Sequence, residues 1–202
     1  MGDYQLTILS PQGDTWDVTE RVSTLSWSGS VKRVSRQIEA VMATPNDGSL
    51  PELPCDLGNE LRLSVQGAQR FLGHIVTREK ATDASTTELT ALDRGRFLSG
   101  NEGWYTFSGT APEAAVRALC ADFGIPVGSL AETGVQVARK YPGVALSKMV
   151  DSLYTMAAEQ NGKRYLSRFN GAGELEVVEK SNLDDHAFKE KIIAALKEES
   201  YA

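Results

Sequence analysis

The sequence is short of the side chains that carry out chemistry. Its only cysteines are Cys55 and Cys120, and its only histidines are His74 and His186. Two thiols in no motif make neither a disulfide framework nor a zinc site. Neither histidine has a second histidine or a cysteine at ligand spacing, which argues against a metal centre. A cysteine nucleophile needs a base, and no histidine is near either thiol in sequence, although proximity in space stays open. GxSxG, HExxH, P-loop and GxGxxG patterns are all missing. The sequence therefore predicts no catalytic, cofactor-binding or metal-binding residues.

Other absences bear on location and partners. No apolar run is long enough to span a bilayer, so no stable membrane association is expected. The start, MGDYQLTILS, lacks a basic n-region and an apolar h-region, and Leu6 stands where a myristoylation signal needs Ser or Thr. Synthesis and folding in a cytoplasm are the expectation. A net charge of −6 argues against general nucleic-acid binding, which relies on lysine and arginine to displace phosphate counterions. Lys32, Arg33 and Arg36, and Lys163, Arg164 and Arg168, form small basic clusters that read as solvated faces or interface rims. Acidity suits a protein that lets a polyanion pass without sticking.

What is present is pattern. With 202 residues the chain can bury a real core as one large or two small domains. Residues 1–98 alternate with a period of two. Tyr4, Leu6 and Ile8 share a face, then Trp16 and Val18, then Leu25 and Trp27. From Val31 to Ala43, Val34, Ile38, Ala40 and Met42 fall on one side, but Arg36 interrupts it. That strand is expected to bend or to meet a wet surface there. Leu61, Leu63 and Val65, a turn at Gln66-Gly67-Ala68, and Phe71, Gly73 and Ile75 read as a hairpin. Thr87, Leu89 and Ala91 follow a polar turn at 81–85. Between these strands, residues 44–59 hold three of seven prolines, Pro45, Pro51 and Pro54. Prolines deny strand pairing, so this is a long loop, and contact with a neighbouring chain is its expected task. Six or seven short strands make a small sandwich or an open barrel, whose edges invite pairing with another chain.

After Gly100 the period changes. Thr110-Ala111-Pro112-Glu113 reads as a capping box with Thr110 as N-cap. Ala115, Val116, Leu119, Cys120 and Phe123 mark one helical face, stopped by Gly124 and Pro126. A second helix over 145–161 carries the stripe Leu146, Met149, Val150, Leu153, Tyr154 and Ala157 and ends at Gly162. Met149 and Met156 read as core filler and Cys120 as a small buried hydrophobe. Asn170-Gly171-Ala172-Gly173 joins two strands as a hairpin turn, since no helix and no Lys-Ser or Lys-Thr pair follows it as phosphate binding would require. Residues 184–199 read as a terminal amphipathic helix with Phe188, Ile192, Ala195 and Leu196 on one side.

Three stretches together resemble a known family: LSWSGSVKRVSRQIEA at 25–40, FLGHIVTREKATDASTTELTALDRGRFL at 71–98, and the region 101–179 with ALCADFGIP, YPGVALSKMVDSLYTMAAEQNGKRYLSRF and its Leu-Glu-Val strand. They are similar to the tail-hub proteins of contractile phages and phage-like particles, of the XkdQ/YqbQ prophage type. The resemblance implies an α+β fold. A tail-tube-like antiparallel β-barrel or sandwich is expected over 1–100. A small α/β domain of two helices plus a β-hairpin follows over 101–180, then the C-terminal helix over 181–202. It also implies a non-enzymatic structural part of a baseplate hub, joining the tail tube to the baseplate and spike. Its partners would be other copies of itself in a trimeric ring, the tube protein, and baseplate and spike proteins. It would be assembled in the bacterial host cytoplasm and located in the virion tail. Hubs of this kind normally carry two barrels per chain. Here one helix follows Glu179, so either a truncated hub or a ring completed by another protein is expected. The alternatives are a tail-associated peptidoglycan hydrolase, for which Asp93, Glu102, Glu113 and Asp122 are the available carboxylates, and a freestanding adaptor module.

Overall fold

The computed structural model describes residues 4–30, 33–80 and 84–180. The expected terminal helix over 184–199, His186 and Lys32 lie outside the described residues, as do part of the 81–85 turn and the side chains of Arg33 and Val34. The architecture is α+β. Its first half is one antiparallel sheet of seven strands: β1 (Tyr4–Leu9), β2 (Thr15–Asp17), β3 (Val22–Ser30), β4 (Arg33–Ala43), β5 (Glu60–Val65), β6 (Ala68–Glu79) and β7 (Thr86–Asp93). Their spatial order is β2-β1-β5-β6-β7-β4-β3.

Period-two burial builds this half. Leu6 and Ile8 of β1, Ile38, Ala40 and Met42 of β4, Leu61 and Leu63, Phe71 and Ile75, and Leu89 and Ala91 all enter one buried cluster. β1 and β4 are separated by three strands in the sheet yet share that cluster, so the sheet curls into an open barrel. The β5–β6 hairpin turns on Gln66 and Gly67, both with positive φ (51° and 74°), with Val65 facing Ala68. This type I′ geometry matches the right-handed twist of the strands.

The proline-bearing loop 44–59 does not stand clear of the barrel. Leu53 and Cys55 enter the core, and buried Asn59 donates to the Pro54 carbonyl at 2.9 Å. Cys55 is thus a free thiol, as the loop composition suggests, but a buried one. Burial pushes both Cys55 and Cys120 up to about 11. Neither thiol is expected to react with an aromatic disulfide reagent in the native protein at mildly alkaline pH, whereas both react in denaturant. Rapid native labelling of one thiol would contradict this packing.

The second buried cluster begins at Leu98. It is built from α1 (Gly95–Gly100), β8 (Glu102–Thr110), α2 (Pro112–Asp122), β9 (Val127–Leu130), β10 (Val137–Ala145), α3 (Leu146–Asn161), β11 (Tyr165–Phe169) and β12 (Leu175–Glu179). All six residues of the predicted α3 stripe are buried, and the helix closes on Gly162 at φ 73°. β11 and β12 form the predicted hairpin, and β9 joins β12 in parallel. β8 pairs with β10 as a separate two-stranded ribbon. The strands β8, β9 and β10 and the short α1 are not evident from the sequence pattern.

Two local expectations are overturned. No capping box forms, because Thr110 still belongs to β8 opposite Val137, so the N-cap falls on Ala111 with no side-chain bond. Glu113 instead accepts from the Thr133 hydroxyl at 3.1 Å, tying down the loop before β10. Phe123, expected on the buried face of α2, lies beyond the last helical turn and is exposed.

Candidate functional site

The available carboxylates and His74 are scattered, and all but Glu102 are engaged in packing. Asp93 is fully buried: one carboxylate oxygen accepts from the Gly95 N–H and the other from Arg36 Nε, each at 3.0 Å. Glu113 holds Thr133. Asp122 accepts from the Tyr105 hydroxyl at 2.7 Å. Glu102 is exposed on β8, paired across from Ala145. His74 lies edge-on to Phe97, with ring centroids 6.0 Å apart. Burial holds its pKa below the ordinary histidine value, and Arg94 and Arg96 act in the same direction against Glu60. Among the described residues no three histidine, cysteine, aspartate or glutamate side chains converge as a metal site.

The basic clusters also change meaning. Lys163 pairs with Glu179 at 2.8 Å and Arg168 with Glu176 at 3.2 Å, as surface ion pairs across the β11–β12 hairpin. Arg36 is not part of a solvated basic face. It points to the same side as Ile38; the β3–β4 pairing is irregular between Gln37 and Arg33, in keeping with the expected bend, while the alternative of a wet surface is replaced by protein. Its guanidinium lies between the rings of Trp27 and Phe71, at 5.7 and 5.8 Å from their centroids.

The feature best suited to binding another chain is the outer edge of β3. Of the sheet's two edge strands, β2 has three residues and carries Asp17, whereas β3 has nine, VSTLSWSGS, with neither a charge nor a proline. Natural proteins blunt exposed edges with charge, proline or brevity to prevent unwanted pairing. β3 lacks these guards in a chain that is 24% charged. Beside the edge, the inner face is also incompletely covered. Leu25 and Trp27 sit opposite Ala40 and Ile38, yet Trp27 is 45% exposed. Among the described residues no strand pairs with this edge, and a row of backbone donors and acceptors beside a half-covered indole is the geometry that accepts an added strand. The sequence contained this signal in the uncharged run 22–30, but only the strand order shows which strand is an edge.

Solved structures share this fold. The prophage MuSo2 43 kDa tail protein from Shewanella oneidensis superposes with a TM-score of 0.69 at 15% identity, over 87% of this chain and 53% of that one. A tail protein from Neisseria meningitidis MC58 superposes with a TM-score of 0.62 at 16% identity, over 88% of this chain and 50% of that one. In sequence, the phage-like element PBSX protein XkdQ of Bacillus subtilis (strain 168) is 28% identical over 110 residues, which is 54% of this chain and 33% of XkdQ. The chain thus spans a third to about half of the length of these relatives. The pattern of the YQBQ-like family matches from Leu25 in the edge strand, through both buried clusters, to residue 195, and the chain belongs to that family.

Proposed function

We propose that this chain is a structural component of the tail of a phage or phage-like particle, forming part of the baseplate hub between the tail tube and the spike. The observation that carries the reading is the unguarded edge of β3, in a fold shared with two phage tail proteins. Copies of the chain, three to a ring, join through strand addition at this edge, and the curled sheet stacks on the tube. Residues 1–100 act as the ring-forming barrel and 101–180 as a brace outside it. The role is assembly and not turnover. The available carboxylates support this, since Asp93, Glu113 and Asp122 are each held in hydrogen bonds that serve packing.

Ser26 and Ser28 are exposed on β3. Changing both to lysine is expected to leave the isolated fold within about 0.5 kcal/mol of wild type, as surface substitutions do. The same variant is expected to be lost from assembled particles, because desolvated lysines oppose edge pairing. Cryo-electron microscopy of particles carrying either form reads the outcome. Wild-type density at the base of the tube, missing with the variant, is the expected result. Equal incorporation of both forms would remove β3 from the assembly role, and absence of the wild-type chain from that ring would overturn the hub reading itself.

A further inference from the structure

One guanidinium bridges the sheet and the turn of the second cluster's hairpin. Arg36 projects from β4 and donates three ways: Nε to Asp93, Nη1 to the Arg70 carbonyl at 3.3 Å, and Nη2 to the Asn170 carbonyl at 3.1 Å. The first two partners belong to the sheet and the third to the β11–β12 turn. Gly29 makes room for this side chain, since a Cβ there would lie 3.1 Å from Arg36 Cγ. Asp93 completes the joint by also accepting the N–H of Gly95, the first residue of α1. One buried carboxylate thereby ties Arg36 to the place where the chain leaves the sheet for the second cluster.

The turn itself is pressed flat against β6. Gln69 Nε2 donates to the Gly171 carbonyl at 2.6 Å, and a Cβ on residue 171 would overlap the backbone carbonyl of Gln69. A Cβ on residue 173 would lie 3.2 Å from Leu72 Cδ2. The glycines of 170–173 therefore do more than allow a tight turn. Gly171 permits backbone-to-backbone approach between the two halves, a contact no side chain tolerates, while Gly173 faces the side chains of Leu72 and Arg94. The other attachments are α1, which packs on both β4 and α3, and β11, which packs on β4.

We infer that Arg36 and the 170–173 turn form a latch that sets the orientation of the second half on the barrel. Releasing it lets that half shift about α1 and the β4–β11 contact while each core stays packed. The physical basis is the division of contacts. Most apolar burial lies within each cluster, whereas at the turn the halves meet through hydrogen bonds to carbonyls, with Leu72 of β6 the buried apolar side chain beside Gly173. A guanidinium suits this role because its planar fork reaches a carboxylate and two carbonyls at once, which a lysine cannot do. This inference is independent of the ring-forming role of β3.

Residual dipolar couplings of backbone amides in the full chain test it. In the wild type, amides of β4–β7 and of α3 with β11–β12 are expected to fit one alignment tensor. In Arg36→Gln and in Gly171→Ala the single tensor is expected to be lost, with α3, β11 and β12 following a second, weaker one. Amide shifts in the interior of both cores should stay in place. Gly171→Ala keeps the Arg36–Asp93 pair intact, so it carries the test if Arg36→Gln fails to fold. A single tensor retained in Gly171→Ala, or collapse of the core resonances in that variant, would overturn the latch.

Discussion

Asp93→Ala is expected to lower the stability of the protein by about 3–5 kcal/mol, the usual result of removing one partner of a buried ion pair. Asp93 has no exposed surface, and the Arg36 side chain is only 21% exposed. Alanine leaves the guanidinium without a counter-ion and the Gly95 N–H without its acceptor. Urea unfolding with an unchanged m-value and a lower midpoint is the measurement. A loss below about 1 kcal/mol would mean that water replaces the carboxylate freely.

Asp93→Asn removes the charge together with one of the two acceptors, because Gly95 N–H and Arg36 Nε both donate to the carboxylate, and it fixes the sign of the pH dependence. Burial raises the Asp93 pKa above the ordinary aspartate value, outweighing the lowering by its bonds to Arg36 and Gly95. The folded state therefore binds this proton more tightly than the unfolded chain does. Its contribution is fully present below the unfolded pKa and is lost as pH rises through the raised folded one. The stability of the wild type relative to Asp93→Asn should accordingly fall over that window and level off above it. The two results are compatible: ionising Asp93 is disfavoured by burial, yet deleting it strands Arg36.

Phe71→Ala is expected to remove about 3–5 kcal/mol, as for other fully buried aromatic residues. Phe71 is among the largest fully buried side chains of the barrel core. Its ring also lies over Gly73 in the same strand, where a Cβ would come within 2.6 Å of ring carbons and of the Leu92 carbonyl. Phe71 thus occupies the volume that Gly73 leaves empty, and it lines one face of the Arg36 guanidinium. Alanine opens a cavity and uncovers both. Thermal and urea unfolding should show the loss, and a cost near 1 kcal/mol would indicate that the barrel collapses around the gap.

The edge strand and the latch differ in how far the sequence announces them. The uncharged run 22–30 and the interruption at Arg36 are both plain in the sequence. Their meaning is not. Arg36 reads as a bend or a wet surface because its partners are distant: Asp93 lies 57 positions away and Asn170 134. The glycines at 171 and 173 read as turn residues, which they are, but their contact with β6 is invisible to local pattern. β8 carries no clear apolar alternation because large aromatics occupy both its faces. Tyr105 and Phe107 pack inward while Trp104 is 80% exposed, which blurs the alternation. β9 is four residues long and pairs in parallel with a strand far along the chain, so no hairpin signal marks it.

The sequence by itself determined the elements whose burial repeats locally. Alternation in β5, β6 and β7, the stripe of α3 and the stop at Gly162 all follow from a side-chain period and a single permissive glycine. Tertiary structure alone decided that β3 is an edge, that Thr110 stays in a strand instead of capping a helix, and that Arg36 is a buried joint. Those outcomes depend on which segments meet across the chain. A local period records which face is apolar but not what will cover it.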